Sequence, residues 1–209
     1  MTSLHEITSE AGERLEQQIA FILEIDRLKT VLRKTQLLHE ERFENSAEHS
    51  WHLALAAVIL AEYANESLDI TRVLKMLLIH DLIEIYSGDT FHYDKEADPT
   101  LSIREREGAR KIFALLPPDQ EKELLMLWME FEEQATAEAQ FSTSIDRLMP
   151  LLLHASRKDK GAPRVSTTQM LEKNRQIQQG SQQLWVLAQA VINGPLTHRT
   201  PDISSSRSV

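Results

Sequence analysis

The chain has 209 residues, 42% of them apolar and 26% charged, with a formal net charge of −9 and no cysteine. That length and balance suit one globular domain with a core of its own. The acidic balance argues against binding nucleic acid or an anionic membrane, and the missing thiols exclude disulfides, a cysteine nucleophile and Cys-ligated zinc.

The first residues, MTSLHEITSEAGERLEQQ, hold no apolar stretch of signal-peptide length. No uncharged run approaches the ~20 residues of a membrane span, so a cytoplasmic protein is expected. Residues 10–36 carry helical spacing, with Leu15, Ile19, Ile22, Leu23, Ile25, Leu28 and Leu32 as the apolar stripe. The polar run HEERFEN follows. Asn45 and Glu48 have capping-box spacing and open a helix expected to reach Ala64. Asp69 can cap the next helix, over residues 70–85, and YSGDTFHYDKEADP reads as a loop. Helical patterns return at 100–116, 118–135, 137–157 and 167–192, with Pro118 placed for a first turn and KDKGAPRVS as a breaker. Alternating strand patterns are scarce. The expectation is a single all-α domain over residues 1–193, with 194–209 a polar, disordered tail.

Chemistry concentrates in VLKMLLIHDLIEIYSGD, Val73 to Asp89. The helix through Ile83 is apolar nearly all round, so His80, Asp81 and Glu84 must be paired or bound to metal if buried. His80 and Glu84 are four apart, and Asp81 and Glu84 three apart, so each pair shares a face. His49 falls in the first turn of the helix opened by Asn45, with His52 one turn on. Asp146 lies among Ile145, Leu148, Met149 and Leu151, and Pro150 removes the N–H that would bond its carbonyl, so a kink is expected there. Taken singly, each His is an ordinary hydrogen-bonded core residue, Asp146 a partner for Arg147, and Glu84 an ion-pair partner. Taken together, two imidazoles and two carboxylates suit a divalent cation such as Mn, Co, Fe, Ni or Zn, and Mg less well.

The segments ENSAEHSW, KMLLIHDLIEIYSGDT and DRLMPLLLH resemble the HD-domain metal-dependent phosphohydrolases, in the branch of the bacterial 5′-deoxynucleotidases. The likeness runs from about Ile19 to Ile192. It implies a compact HD-type helical bundle, commonly a homodimer, with His49, His80, Asp81 and Asp146 holding one divalent metal cation. Glu84 matches the residue that activates or orients the attacking water. Asp89 matches one that protonates the leaving sugar oxygen or holds the sugar. Thr90, Phe91 and His92 fall at substrate-contact positions. Arg33 falls where the nucleotidases orient the phosphate, with Arg42 the competing choice. The chain departs from that pattern at Lys34, where the deoxynucleotidases carry a Trp that discriminates the sugar, so looser sugar selection is implied. Trp51 and Tyr93 are open to two readings, base stacking or packing. The substrate expected is a small phosphomonoester, a nucleoside 5′-monophosphate foremost. The alternatives are an HD phosphodiesterase or alarmone hydrolase, and a nucleotide-binding HD domain without turnover.

Overall fold

A computed structural model of the chain describes residues 12–88, 100–157 and 165–196. Helix α1 spans Glu13–Ile25 and tightens into a 3₁₀ turn, Asp26–Thr30. Strand β1, Leu32–Gln36, pairs antiparallel with β2, Phe43–Asn45. Then come α2 (Ser46–Leu60), α3 (Ile70–Ile79), a 3₁₀ turn (His80–Ile83) and α4 (Glu84–Ser87). Beyond these lie α5 (Leu101–Phe113), α6 (Pro118–Glu133) and α7 (Ala137–Ser156). The last elements are α8 (Thr167–Asn174), α9 (Ile177–Gly180), α10 (Gln182–Val191) and a π turn, Ile192–Leu196.

Local signals set most helix starts. Asn45 and Glu48 form the reciprocal capping box at α2. The Asp69 carboxylate accepts from the N–H groups of Thr71 and Arg72 at α3. Pro118 occupies the first turn of α6.

The first helix departs from expectation. It stops at Ile25, and residues 32–36 are a strand rather than its last turns. The Ser46 N–H donates to the Val31 carbonyl at 3.0 Å, continuing the pairing with β2. Hydrogen bonds to a segment ten residues away thus override the local helical period. Leu32 is accordingly exposed. The buried stripe is also turned: Phe21, Ile25 and Leu28 face inward at i, i+4, i+7, while Leu15, Ile22 and Leu23 are exposed. Arg14 forks onto Asp119 at 2.7 and 2.8 Å and fastens α1 to α6.

The stretch expected as one helix over 167–192 is three. Gly180 brings α9 against α7 so closely that a Cβ there would overlap the Gln140 carbonyl and Phe141 Cα. Ser181 then caps α10 through the Leu184 N–H. Leu196 is fully buried although it falls in the segment expected to be tail; residues 197–209 lie outside the described residues.

Two apolar clusters meet on α3. Val73 and Leu77 face one built with Leu53, Phe141, Ile145, Leu148 and the last helices. Met76 and Ile79 face the other, built with Phe21, Ile112, Phe113, Leu127 and Phe131. The His80–Ile83 turn emerges from that seam. Helix α7 runs unbroken across Pro150. Among the described residues no helix is long and apolar enough to cross a membrane.

Candidate metal centre

The seam delivers ionisable groups to one place. His80 and Asp81 open the 3₁₀ turn that follows α3, and with three residues per turn Glu84 comes up beneath Asp81. Gly88, at φ 75°, ends α4 in a conformation that favours glycine. His49 reaches in from the first turn of α2, and Asp146 from the middle of α7.

The four predicted ligands come together. His49, His80 and Asp81 each offer one donor atom, all within 4.8 Å of one another. Asp146 Oδ1 lies 2.9 Å from His49 Nε2 and 3.8 Å from His80 Nε2. His80 Nε2 is 3.1 Å from Asp81 Oδ1. Phe131 closes one side, its ring centroid 5.0 Å from that of His80.

The two imidazoles are held differently. His80 Nδ1 lies 2.9 Å from the Leu77 carbonyl, which can only accept, so this nitrogen carries the proton. Burial pushes His80 below its ordinary pKa, leaving a neutral ring with its lone pair on Nε2. Burial and the Arg33 charge push His49 down too. Its contacts with Asp146 and Glu44 win, and it rises to about 9. Burial alone would raise Asp146, but the hydrogen bond to His49 holds it well below the usual carboxylate range.

These contacts test the fit for a metal. His80 Nε2 is buried and has no hydrogen-bond partner among the described residues. Its lone pair faces the oxygens of two carboxylates, so acceptors crowd acceptors. A cation at the focus of these atoms removes that conflict. Two imidazoles and two carboxylates suit a divalent ion of borderline hardness.

Around this focus, Arg33 on β1 donates from Nη1 to Asp81 Oδ2 at 2.6 Å, and its Nε is 3.5 Å from Glu44 Oε1. Arg42, the rival candidate, forks onto Glu48 at 2.9 and 2.6 Å at the surface. Ser46 Oγ donates to Glu84 Oε2 at 2.6 Å, both side chains buried. Lys34 is exposed, on the opposite side of β1 from Arg33. Trp51 is exposed and stacks on His52, on the face of α2 turned from His49. Asp89, Thr90, Phe91, His92 and Tyr93 lie outside the described residues.

Sequence reasoning missed Glu44 and Ser46. Glu44 is 2% exposed and lies 3.4 Å from His49 Nδ1. Only the strand pairing turns Glu44 inward. Ser46 carried a weaker signal, as the first residue after a capping Asn.

Comparison with known proteins finds relatives over most of the chain. The model of the HD domain family matches residues 25–185. The 5′-deoxynucleotidase HDDC2 of Homo sapiens is 30% identical over 147 residues, covering 70% of each chain. Its Bos taurus counterpart is 29% identical over 157 residues, covering 75% of each. The crystal structure of a predicted metal-dependent phosphohydrolase from Magnetospirillum magnetotacticum MS-1 is 43% identical, with a TM-score of 0.81, and the match covers 87% of this chain and 95% of that one.

Proposed function

The chain belongs to the HD-domain phosphohydrolase family, and from that premise we infer a metal-dependent enzyme that releases phosphate from a nucleoside 5′-monophosphate. The observation that carries this reading is the orphaned His80 Nε2 facing Asp81 and Asp146. In this proposal His49, His80, Asp81 and Asp146 hold one divalent cation. When bound, the cation supplies a Lewis acid for the phosphate oxygens.

The remaining steps fall to side chains. Arg33, fixed against Asp81 and Glu44, contributes positive charge for the phosphate. Glu84, aimed by the Ser46 hydroxyl, accepts a proton from water as the water oxygen attacks phosphorus. The bond from phosphorus to the 5′ oxygen breaks, and that oxygen takes a proton in the role proposed for Asp89. Thr90, Phe91 and His92 are proposed to line the nucleoside side. Lys34 in place of Trp supports acceptance of both ribose and deoxyribose. We propose a cytoplasmic homodimer, paired through the exposed face of α2 that carries Trp51, Leu55, Val58 and Ile59.

Phosphate release from paired ribo- and deoxyribonucleoside monophosphates, with several divalent metals, tests the reading. Asp81→Ala should lose metal and activity together. Glu84→Gln should keep metal and substrate binding but turn over ~10²–10⁴-fold more slowly, because Gln cannot take the proton. Near-wild-type turnover in Glu84→Gln would remove Glu84 from the mechanism. A strong deoxyribose preference would remove the sugar claim and leave the hydrolase.

A further inference from the structure

We propose that Glu44 is a positioning residue for the metal centre, acting through His49; this rests on the metal-site reading above. Glu44 is a buried carboxylate for which the proposed hydrolysis has no task. Its Oε1 faces two groups, His49 Nδ1 at 3.4 Å and Arg33 Nε at 3.5 Å. His49 therefore has a carboxylate on each ring nitrogen, Asp146 on Nε2 and Glu44 on Nδ1.

The comparison with His80 gives Glu44 its role. A ligating imidazole needs its proton on the nitrogen turned away from the metal. For His80 the Leu77 carbonyl fixes that proton on Nδ1. His49 sits at the start of its helix, and the outward nitrogen faces Glu44 instead. The carboxylate attracts the Nδ1 proton and leaves Nε2 for the cation. At 3.4 Å the contact is longer than a good hydrogen bond, so the charge of Glu44 matters more than its fine geometry. That charge also offsets Arg33, whose positive head would otherwise repel a cation bound beside Asp81.

The probe is Co²⁺ titrated into the metal-free full-length protein, read by chelator competition and by the visible spectrum of the bound ion. Glu44→Gln keeps the volume and an acceptor but removes the charge. It should weaken Co²⁺ binding about 10- to 100-fold and shift the spectrum, with the far-UV circular dichroism unchanged. Wild-type affinity and spectrum in a folded Glu44→Gln would overturn the proposal and leave Glu44 as a structural partner of Arg33. Should that variant not fold, Glu44→Asp keeps the charge but draws it back by one methylene from both His49 Nδ1 and Arg33 Nε. It should still bind Co²⁺ several-fold more weakly, and wild-type binding there would overturn the proposal equally. His80→Ala is the control. If it too binds Co²⁺ normally, the metal-site reading has failed. If it alone loses Co²⁺, only the Glu44 inference has.

Discussion

His49 and His80 are both buried, yet their surroundings push them in opposite directions, and the difference is measurable. His49 is raised from 6.5 to about 9 by Asp146 and Glu44 against burial and Arg33. Its contribution to the metal-free fold is complete below about pH 6.5 and is lost as pH rises through about 9, by up to roughly 3 kcal/mol. His80 is lowered by burial, so it works the other way: its cost appears as pH falls below about 6.5, where the unfolded chain takes up the proton more readily. For these two groups alone, metal-free stability is greatest near pH 6.5. A metal at Nε2 of His49 must displace a proton, so metal binding should tighten over the same window in which the metal-free fold weakens. Thermal melts from pH 6 to 9.5, with chelator and with added Co²⁺, should therefore diverge as pH rises. Parallel curves would mean that His49 does not exchange its proton for the metal.

At the scale of elements, accuracy depends on where each signal lies in the chain. The boundaries at Asn45, Asp69 and Pro118 were legible because a cap or a proline acts within three residues. The grouping of His49, His80, Asp81 and Asp146, which the fold brings together, was legible as a pattern of residue types. The β1–β2 hairpin was not, because residues 32–36 obey a helical period until a partner strand competes for their backbone. Glu44 stayed hidden for the same reason. The 3₁₀ turn at His80 also left no local trace, since tertiary packing around the seam sets it. Gly180 is a further long-range feature, and it can be tested. A Cβ there would collide with the backbone of α7 at Gln140 and Phe141, six and five residues before Asp146. Gly180→Ala should cost about 1–3 kcal/mol as α9 is pushed away, lowering the melting temperature by roughly 2–10 °C. Gly194→Ala, whose Cβ would meet nothing within 4 Å, should leave it unchanged. Equal melting temperatures for the two variants would show that α9 and α7 separate without cost.

At the scale of the molecule, α2 has two sides with different fates. One carries His49, Leu53 and Ala57 into the interior, all nearly or fully buried. The other carries Trp51, Leu55, Val58 and Ile59, at i, i+4, i+7 and i+8, with exposures of 64%, 49%, 49% and 65%. A helix apolar all round belongs in an interior, and a contiguous apolar strip at the surface marks an interaction face. A second copy of the same chain can supply the cover, strip against strip about a two-fold axis. Trp51 would then lie inside the pair, in the kind of position where a large aromatic anchors an interface, and its stacking on His52 needs no role in base recognition. Light scattering at micromolar concentration should give twice the 24.0 kDa chain mass. The Trp51→Glu, Ile59→Glu double variant should fall to the monomer mass while keeping its helical circular dichroism, because neither side chain supports the core. Metal content in the variant should be unchanged, since His49 and Asp146 face the other way. A wild-type chain that is monomeric at that concentration, or a dimer that survives both charges, would refute pairing through α2.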